Sequence, residues 1–274
     1  MQQHTISFFF AVLIDICITS TMDANGYGAF SAIILIPLSA VFIWLGKHSR
    51  AELGVVVGKK SQYGFSVLIP ILGVSLIAGA ALLTGHTDTT ETDWNRTWFN
   101  VSLASSVGIL VVLLTEEGFF RGLLWSLTMR TGHSEKFALW ATTAAFVAWH
   151  LSAVFLTEEY APPAVQVPIY LVSATLLGLI WGLMRQLSGS VWPASIYHAI
   201  WNGLVYELYG FGERVGDLGI SATWLYGPEL GLAGLVVNGA VFYYLYEQSK
   251  KVGAVTQVDE SRTEEIELNT ATSQ

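Results

Sequence analysis

Three charged residues stand in the middle of an otherwise apolar segment. Residues 101–127 read VSLASSVGILVVLLTEEGFFRGLLWSL and contain Glu116, Glu117 and Arg121. A charge at the centre of a membrane helix costs about 2.5 to 3.5 kcal/mol on insertion scales. Three such charges in one segment therefore indicate a function that requires them.

The spacing of these charges separates their predicted roles. On an α-helix, Glu117 and Arg121 lie one turn apart and face the same way, which predicts an ion pair between them. Glu116 points about 100° aside and lacks so direct a partner. Glu116 is therefore the predicted general base, and Glu117 with Arg121 is predicted to support the site.

Two other apolar segments each carry a histidine and a second notable residue one turn away. Phe146 and His150 stand at i and i+4, and so do His198 and Asn202. A neutral histidine is cheaper to bury than a charge and can donate or accept a proton, while the Asn202 amide suits a developing oxyanion. Helix packing alone would explain His198 or Asn202, but it does not explain the whole set. The set contains the groups that acyl hydrolysis requires.

These segments must be positioned by a membrane-embedded fold. The chain is 53% hydrophobic and 12% charged, and its mean hydropathy is +0.52. About 20 apolar residues are needed to cross a bilayer as a helix. The pattern predicts an all-α polytopic membrane helix bundle with eight spans, at residues 6–21, 29–46, 64–83, 101–127, 137–156, 165–184, 191–209 and 227–246.

Basic residues predict the orientation of this bundle. Lys and Arg concentrate in short cytoplasmic loops of membrane proteins. With eight spans, ten basic residues fall on one side: Lys47, Arg50, Lys59, Lys60, Arg130, Lys136, Arg185, Lys250, Lys251 and Arg262. The other side has Arg96 and Arg214 together with Asp23, Asp88, Glu91, Asp93, Glu158, Glu159, Glu213 and Asp217. Both termini are therefore predicted to be cytoplasmic.

The domain organisation follows from the same composition. Residues 1–250 are predicted to form one membrane-embedded domain with its motif core at about 101–209. Residues 251–274 are acidic and lack hydrophobic periodicity, which predicts a disordered cytoplasmic tail. Asp15 is expected to be a structural or interfacial residue near one end of the first span. Cys17, the only cysteine, is expected to be a small buried hydrophobe and excludes an intrachain disulfide.

The three motifs together resemble a known signature. Glu116-Glu117-Gly-Phe-Phe-Arg121, then Phe146-x-x-x-His150, then His198-x-x-x-Asn202 are similar to the motifs of the CAAX protease and bacteriocin-processing (Abi) family of intramembrane proteases. The order of the motifs and their apolar setting also match. Eight spans would be similar to the archaeal and eukaryotic CAAX-processing members.

The resemblance implies a role for each motif residue. Glu116 and His150 would activate a water, and His198 and Asn202 would stabilise the tetrahedral oxyanion. Glu117 and Arg121 would hold the site. The implied function is an intramembrane endopeptidase that cleaves near the membrane interface, in the cell membrane if the source is prokaryotic. Eukaryotic members act on prenylated CAAX proteins, but many prokaryotic members have unknown substrates or act in bacteriocin immunity. The expected partners are the bilayer and a membrane-associated peptide or protein, prenylated or not.

Two alternatives concern the chemistry of the cluster. Glu116, His150 and His198 could supply the ligands of a catalytic zinc, but the sequence lacks H-E-x-x-H, and His198 paired with Asn202 suits two hydrogen-bond donors better. A metal-free, glutamate-activated water without any cofactor is therefore favoured.

A proton- or ion-coupled transporter is the alternative function. The net charge of −8 and the absence of a basic stripe argue against a nucleic-acid partner.

Overall fold

The computed structural model describes the backbone of residues 2–157, 160–212 and 214–271, and side chains within those ranges from residue 3 to residue 252. Glu158, Glu159, Glu213 and the last three residues of the predicted tail lie outside the described residues. The helices are α1 (Gln2–Ala24), α2 (Leu35–Gly46), α3 (Ser61–Leu83), α4 (Trp94–Leu114), α5 (Trp125–Arg130), α6 (Glu135–Leu156), α7 (Val167–Ser188), α8 (Trp192–Leu208), α9 (Thr223–Tyr226) and α10 (Leu232–Ala271).

Shorter elements join these helices. Gly28–Ile34 and Ala164–Gln166 are 3₁₀ turns, and Glu117–Leu124 is a π-helix between α4 and α5. After α8, β1 (Gly210–Phe211) and β2 (Arg214–Val215) form a two-residue antiparallel hairpin. The predicted all-α fold is confirmed apart from this hairpin, whose glycines allow the left-handed backbone of a tight turn.

Local sequence sets several helix boundaries. The Asp93 side chain accepts hydrogen bonds from two backbone amides at the start of α4, and Ser134 caps α6 in the same way. Proline occupies the first turn of α7 and of α8, where its missing N–H costs nothing. Gly189, in the left-handed conformation, ends α7.

Six helical stretches are long and apolar enough to cross a membrane. They are Gln3–Ala24, Gly28–Gly46, Ser61–Leu83, Trp94–Arg130, Glu135–Leu156 and Ala164–Ser188. The predicted count of eight spans is not confirmed, because α8 has only 17 residues and the eighth segment begins with a turn before α10. Both of these segments are nevertheless largely helical.

The surface and the interior of the bundle are inverted relative to a water-soluble protein. Large apolar side chains such as Phe9, Leu76 and Leu83 are well exposed, whereas Glu117, Arg121 and other polar residues are fully buried. Hydrocarbon solvates exposed apolar groups, and polar groups gather where they find partners. Cys17 is exposed, so the prediction that it is buried was wrong: it lies on the side of α1 that faces away from the bundle.

The basic loops lie together at one end of the bundle, which we call the basic end. Arg130 Nε donates to Glu52 Oε1 over 2.7 Å, and Arg185 Nη2 donates to the backbone oxygen of Glu52 over 3.2 Å. Lys59 N donates to Ser188 O over 2.8 Å. These contacts fasten the loop between α2 and α3 to the ends of α5 and α7.

The loops at the opposite end, the acidic end, also contact one another. Asp88 N donates to Leu218 O over 3.1 Å, and the Thr97 hydroxyl donates to Asp217 Oδ2 over 2.6 Å. The two sets of loops therefore occupy opposite ends, as the partition of charges requires. Which end faces the cytoplasm stays a prediction.

The backbone of α10 continues as a helix to Ala271, across most of the segment predicted to be a disordered tail. Beyond Gly253 this segment contains neither glycine nor proline, and extending an existing helix costs much less than starting one. The division into a 1–250 membrane domain and a 251–274 tail stays a prediction.

Candidate active site

The first motif lies where the helical geometry changes. At Thr115 the backbone departs from the α-helix with φ −99° and ψ −100°, and the π-helix follows. The turn is tight at Gly118, because a Cβ there would collide with the backbone oxygen of Leu113. Single π turns within α-helices are frequent at functional sites, because the wider turn redirects side chains.

Glu117 and Arg121 form the predicted ion pair inside the π-helix. Arg121 Nη1 lies 3.4 Å from Glu117 Oε1, and both side chains are fully buried. Arg121 Nη2 donates to Gly178 O over 2.9 Å, which fixes the guanidinium against α7. Its Cζ lies 4.6 Å from the ring centroid of Phe146, a cation–π distance. Phe146 therefore supports the pair.

His198 lies between the two glutamates. Its Nδ1 is 3.1 Å from Glu117 Oε1, and its Nε2 is 3.8 Å from Glu116 Oε2. The imidazole stacks on Trp181 with 3.7 Å between centroids and 11° between planes. A carboxylate only accepts hydrogen bonds, so Nδ1 carries the proton and Nε2 faces Glu116. The sequence did not predict that Glu117 would orient His198.

His150 is oriented by its own helix. Its Nδ1 is 2.9 Å from the backbone oxygen of Phe146, and the two rings are 4.2 Å apart. Because a carbonyl oxygen only accepts, Nδ1 is the donor in this bond and a neutral His150 keeps Nε2 as an acceptor. An acceptor at Nε2 is what a group that binds an attacking water needs.

The four predicted catalytic residues meet at one cavity. Glu116, His150, His198 and Asn202 all line a cavity of about 350 Å³, although they come from three separate parts of the chain. Glu117, Arg121 and Phe146 are buried behind it. The arrangement places a carboxylate, two imidazoles and an amide around one space.

Glu229 belongs to the same region and was missed by the sequence analysis. It lies between α9 and α10, where its carboxylate accepts from Trp201 Nε1 over 2.9 Å and from the Tyr160 hydroxyl over 3.1 Å. It also lines a small cavity together with His150 and Asn202. A charge at the start of the apolar segment 227–246 was the available signal, the same signal that identified Glu116.

Asp15 is deeper than expected. It is completely buried, close enough to Glu116 for an electrostatic interaction and beside Trp149. An interfacial position was wrong, because α1 extends to Ala24 and leaves Asp15 nine residues before its end. Asp15 therefore adds a second carboxylate near the predicted base.

The donor set was also compared with what a metal would need. Within the described part of the chain, no three His, Cys, Asp or Glu side chains converge as a metal site. His198 donates from Nδ1 to Glu117 and His150 donates from Nδ1 to a backbone oxygen, which leaves Nε2 of both rings available. The metal-free site stays a prediction.

Comparison with known proteins agrees with the motifs. Residues 97–204 match the sequence model of the family described as type II CAAX prenyl endopeptidase, Rce1-like. No curated protein and no solved structure matches the chain. The matched segment runs from α4 to α8 and contains all three motifs. Across its motif core the chain is therefore similar to the CAAX protease family of peptide hydrolases, and it is an integral, multi-pass membrane protein.

Proposed function

We propose that the protein is an intramembrane endopeptidase in which a Glu116-activated water attacks the peptide bond. The convergence of Glu116, His150, His198 and Asn202 on one cavity carries this proposal. A transporter is not favoured, because the family whose model matches residues 97–204 consists of endopeptidases.

The reaction begins with a water between Glu116 and His150. The Glu116 carboxylate takes one proton of the water, while Nε2 of His150 accepts a hydrogen bond from the other. The water oxygen forms a bond to the scissile carbonyl carbon, and the carbonyl electron pair moves to its oxygen. In a site sheltered from bulk water, this developing charge requires donors that are already in place.

The Asn202 amide and His198 are these donors. His198 donates from Nε2 when its imidazole is protonated on both nitrogens, and the Glu117 carboxylate at Nδ1 stabilises that cation. Collapse of the tetrahedral intermediate breaks the C–N bond, and the proton held by Glu116 passes to the leaving amine. The new carboxylic acid then gives its remaining proton to the amine, so a carboxylate and an ammonium group leave the site and Glu116 is again ionised.

The decisive experiment compares Glu116→Gln with Glu91→Gln, which changes an exposed loop residue in the same way. Glu116→Gln is expected to abolish hydrolysis while leaving the apparent melting temperature unchanged, and Glu91→Gln should retain both. The intact Glu116→Gln protein would then serve as a trap to capture the substrate from membranes. Full activity in purified Glu116→Gln would remove the proposed base and refute the scheme.

Metal dependence is tested separately, since zinc is the alternative to a metal-free site. Purified enzyme is dialysed exhaustively against a chelator while its metal content is measured. The glutamate scheme predicts that activity persists. Loss of activity that stoichiometric zinc restores in the wild type, but not in His150→Ala, would make the protein a metalloprotease.

A further inference from the structure

The cavity that holds the four predicted catalytic residues also has a direction. Its lining includes Gly28, Ala29, Thr157 and Phe211, all in connections at the acidic end of the bundle. Ala29 is exposed, so the cavity reaches the surface there. His150 lies six residues before the end of α6, and Asn202 lies six before the end of α8. At 1.5 Å per residue these residues lie about 9 Å below the acidic end.

The same site is closed towards the basic end. Phe120, Leu124, Trp125 and Trp181 are each at most 3% exposed and fill the space around Arg121. The loop between α2 and α3 covers this layer, since Val191 N donates to Gly54 O over 3.0 Å. A substrate segment therefore cannot reach His198 from the basic end without unpacking this layer.

The wall of the cavity is also acidic. Asp23 lines it and is 3% exposed, and its Oδ1 accepts no hydrogen bond from any residue that the structure describes. Glu116 supplies a second carboxylate at the deep end. Among the described residues that line the cavity, none is a lysine or an arginine. A buried carboxylate oxygen without a partner favours a cation that would complete its interactions.

We propose that the substrate enters this cavity from the acidic, extracytoplasmic end and presents a cationic peptide segment to it. This proposal rests on the proposed function and narrows the substrate class. The substrate would be an exported chain, or the extracytoplasmic segment of a membrane protein, with Lys or Arg near the bond that is cleaved. A segment presented only on the cytoplasmic side would not reach Glu116.

Cysteine accessibility tests the direction without requiring activity. In a Cys17→Ser background, Ala153→Cys places a thiol on the cavity wall, one turn beyond His150. Ala29→Cys marks the opening if Ala153→Cys fails to fold, and Ser61→Cys is the control at the basic end. A membrane-impermeant thiosulfonate is added to right-side-out and to inverted vesicles, and unfolded protein gives the total of reactive thiol.

The cavity cysteine is expected to react in right-side-out vesicles only, and Ser61→Cys in inverted vesicles only. Reaction of the cavity cysteine only in inverted vesicles, or in neither preparation, would overturn the proposed direction. The labelling pattern does not depend on activity, so it stands even if Glu116→Gln turns out to be fully active. A wrong direction of entry and a wrong proposed function can therefore be told apart.

The charge preference is read from the same cysteine. A trimethylammonium thiosulfonate and a sulfonate thiosulfonate of similar size are compared, and their rates are normalised to those at the exposed Ser61→Cys. The cationic reagent is expected to react about tenfold faster at Ala153→Cys, and Asp23→Asn should reduce this preference. Equal rates, or a preference for the sulfonate, would refute the cationic substrate class.

Discussion

At the scale of single residues, the site consists of two carboxylates with different surroundings. Glu117 contacts both Arg121 and His198, whereas Glu116 faces the cavity and approaches only His198 Nε2 among these partners. A carboxylate held by an arginine serves as a fixed anion, and one that faces a water-accessible space is free to exchange a proton. The surroundings of the two neighbouring glutamates therefore suit the separate roles proposed for them.

Removal of the arginine should affect stability as well as activity. Arg121→Ala leaves Glu117 buried without its counter-ion, which costs about 3–5 kcal/mol when one partner of a buried pair is removed. Arg214→Ala is the matched control, because the Arg214–Glu207 pair is partly exposed and such pairs contribute about 0–1 kcal/mol. The measurement is the apparent melting temperature in detergent. Equal changes in both variants would contradict a buried structural ion pair.

At the scale of elements, α8 is the helix that carries two of the four predicted catalytic residues, and it packs closely on α4. A Cβ at Gly203 would collide with the Ser105 hydroxyl and lie 3.0 Å from the Ser105 backbone nitrogen. Glycine is therefore needed there for close approach of the helices and not for an unusual backbone angle. This contact fixes the depth of His198 and Asn202 relative to Glu116.

Gly203→Ala should separate α8 from α4. The separation would displace the proposed donors, His198 and Asn202, from the carbonyl oxygen of the substrate. A misplacement of about 1 Å costs roughly a hundredfold in rate, so a comparable loss of activity is expected. Gly79→Ala in α3 is the control, because a Cβ there meets nothing within 4 Å. Hydrolysis of one substrate by both folded variants is the measurement. Wild-type activity in Gly203→Ala would show that the helix contact does not position the site.

The loop between α2 and α3 gives a pH-dependent contribution to stability. The Arg130 guanidinium, with help from Ser49, lowers the pKa of Glu52 from 4.5 to about 2. Because the folded-state pKa lies below the unfolded one, this contribution is complete above about pH 4.5 and is lost as the pH falls towards 2.

The difference in apparent melting temperature between wild type and Glu52→Gln should therefore be largest near neutral pH. It should shrink below about pH 4.5 and disappear only below about pH 2, where Glu52 is protonated and therefore as neutral as the glutamine. Glu91→Gln, which changes an exposed residue outside this loop, should show no such trend. A difference that does not vary with pH would contradict a contribution from the ionised pair.

At the scale of the whole molecule, loops of opposite composition occupy opposite ends of the bundle. Ten basic residues fall on one predicted side, and the structure fastens several of their loops to one another. Positive charge is retained on the cytoplasmic side during insertion, which orients the bundle. If this rule holds for the present bundle, the cavity of the proposed active site opens on the other side.

Orientation is tested with two cysteines in the Cys17→Ser background. Ser61→Cys lies at the basic end and Thr89→Cys in a loop at the acidic end. In intact cells, an impermeant maleimide should label Thr89→Cys and not Ser61→Cys. The reverse pattern would show that the bundle is inserted the other way round, and the cavity would then open to the cytoplasm.

The sequence by itself determined the class of fold and singled out the charged residues of the proposed site. Charges in apolar segments are costly, so Glu116, Glu117 and Arg121 could be recognised as unusual from the sequence. The i, i+4 spacing predicted the Glu117–Arg121 ion pair that the structure contains. The apolar segments likewise predicted a helical membrane bundle. The order of the three motifs indicated the family that residues 97–204 match.

Only the tertiary structure decided which of these side chains contact one another and at which end of the bundle the cavity opens. Helical spacing reports neighbours on one helix, but Glu117 orients His198 from 81 residues away. Glu229, Asp15 and Asp23 approach the site from other elements, so no local pattern paired them with it. The lengths of the spans also depended on tertiary packing. A short helix such as α8 is stabilised by the helices packed around it, which the sequence of α8 alone does not report. The direction of the cavity is a property of packing, since it depends on which side chains fill the space beneath the site.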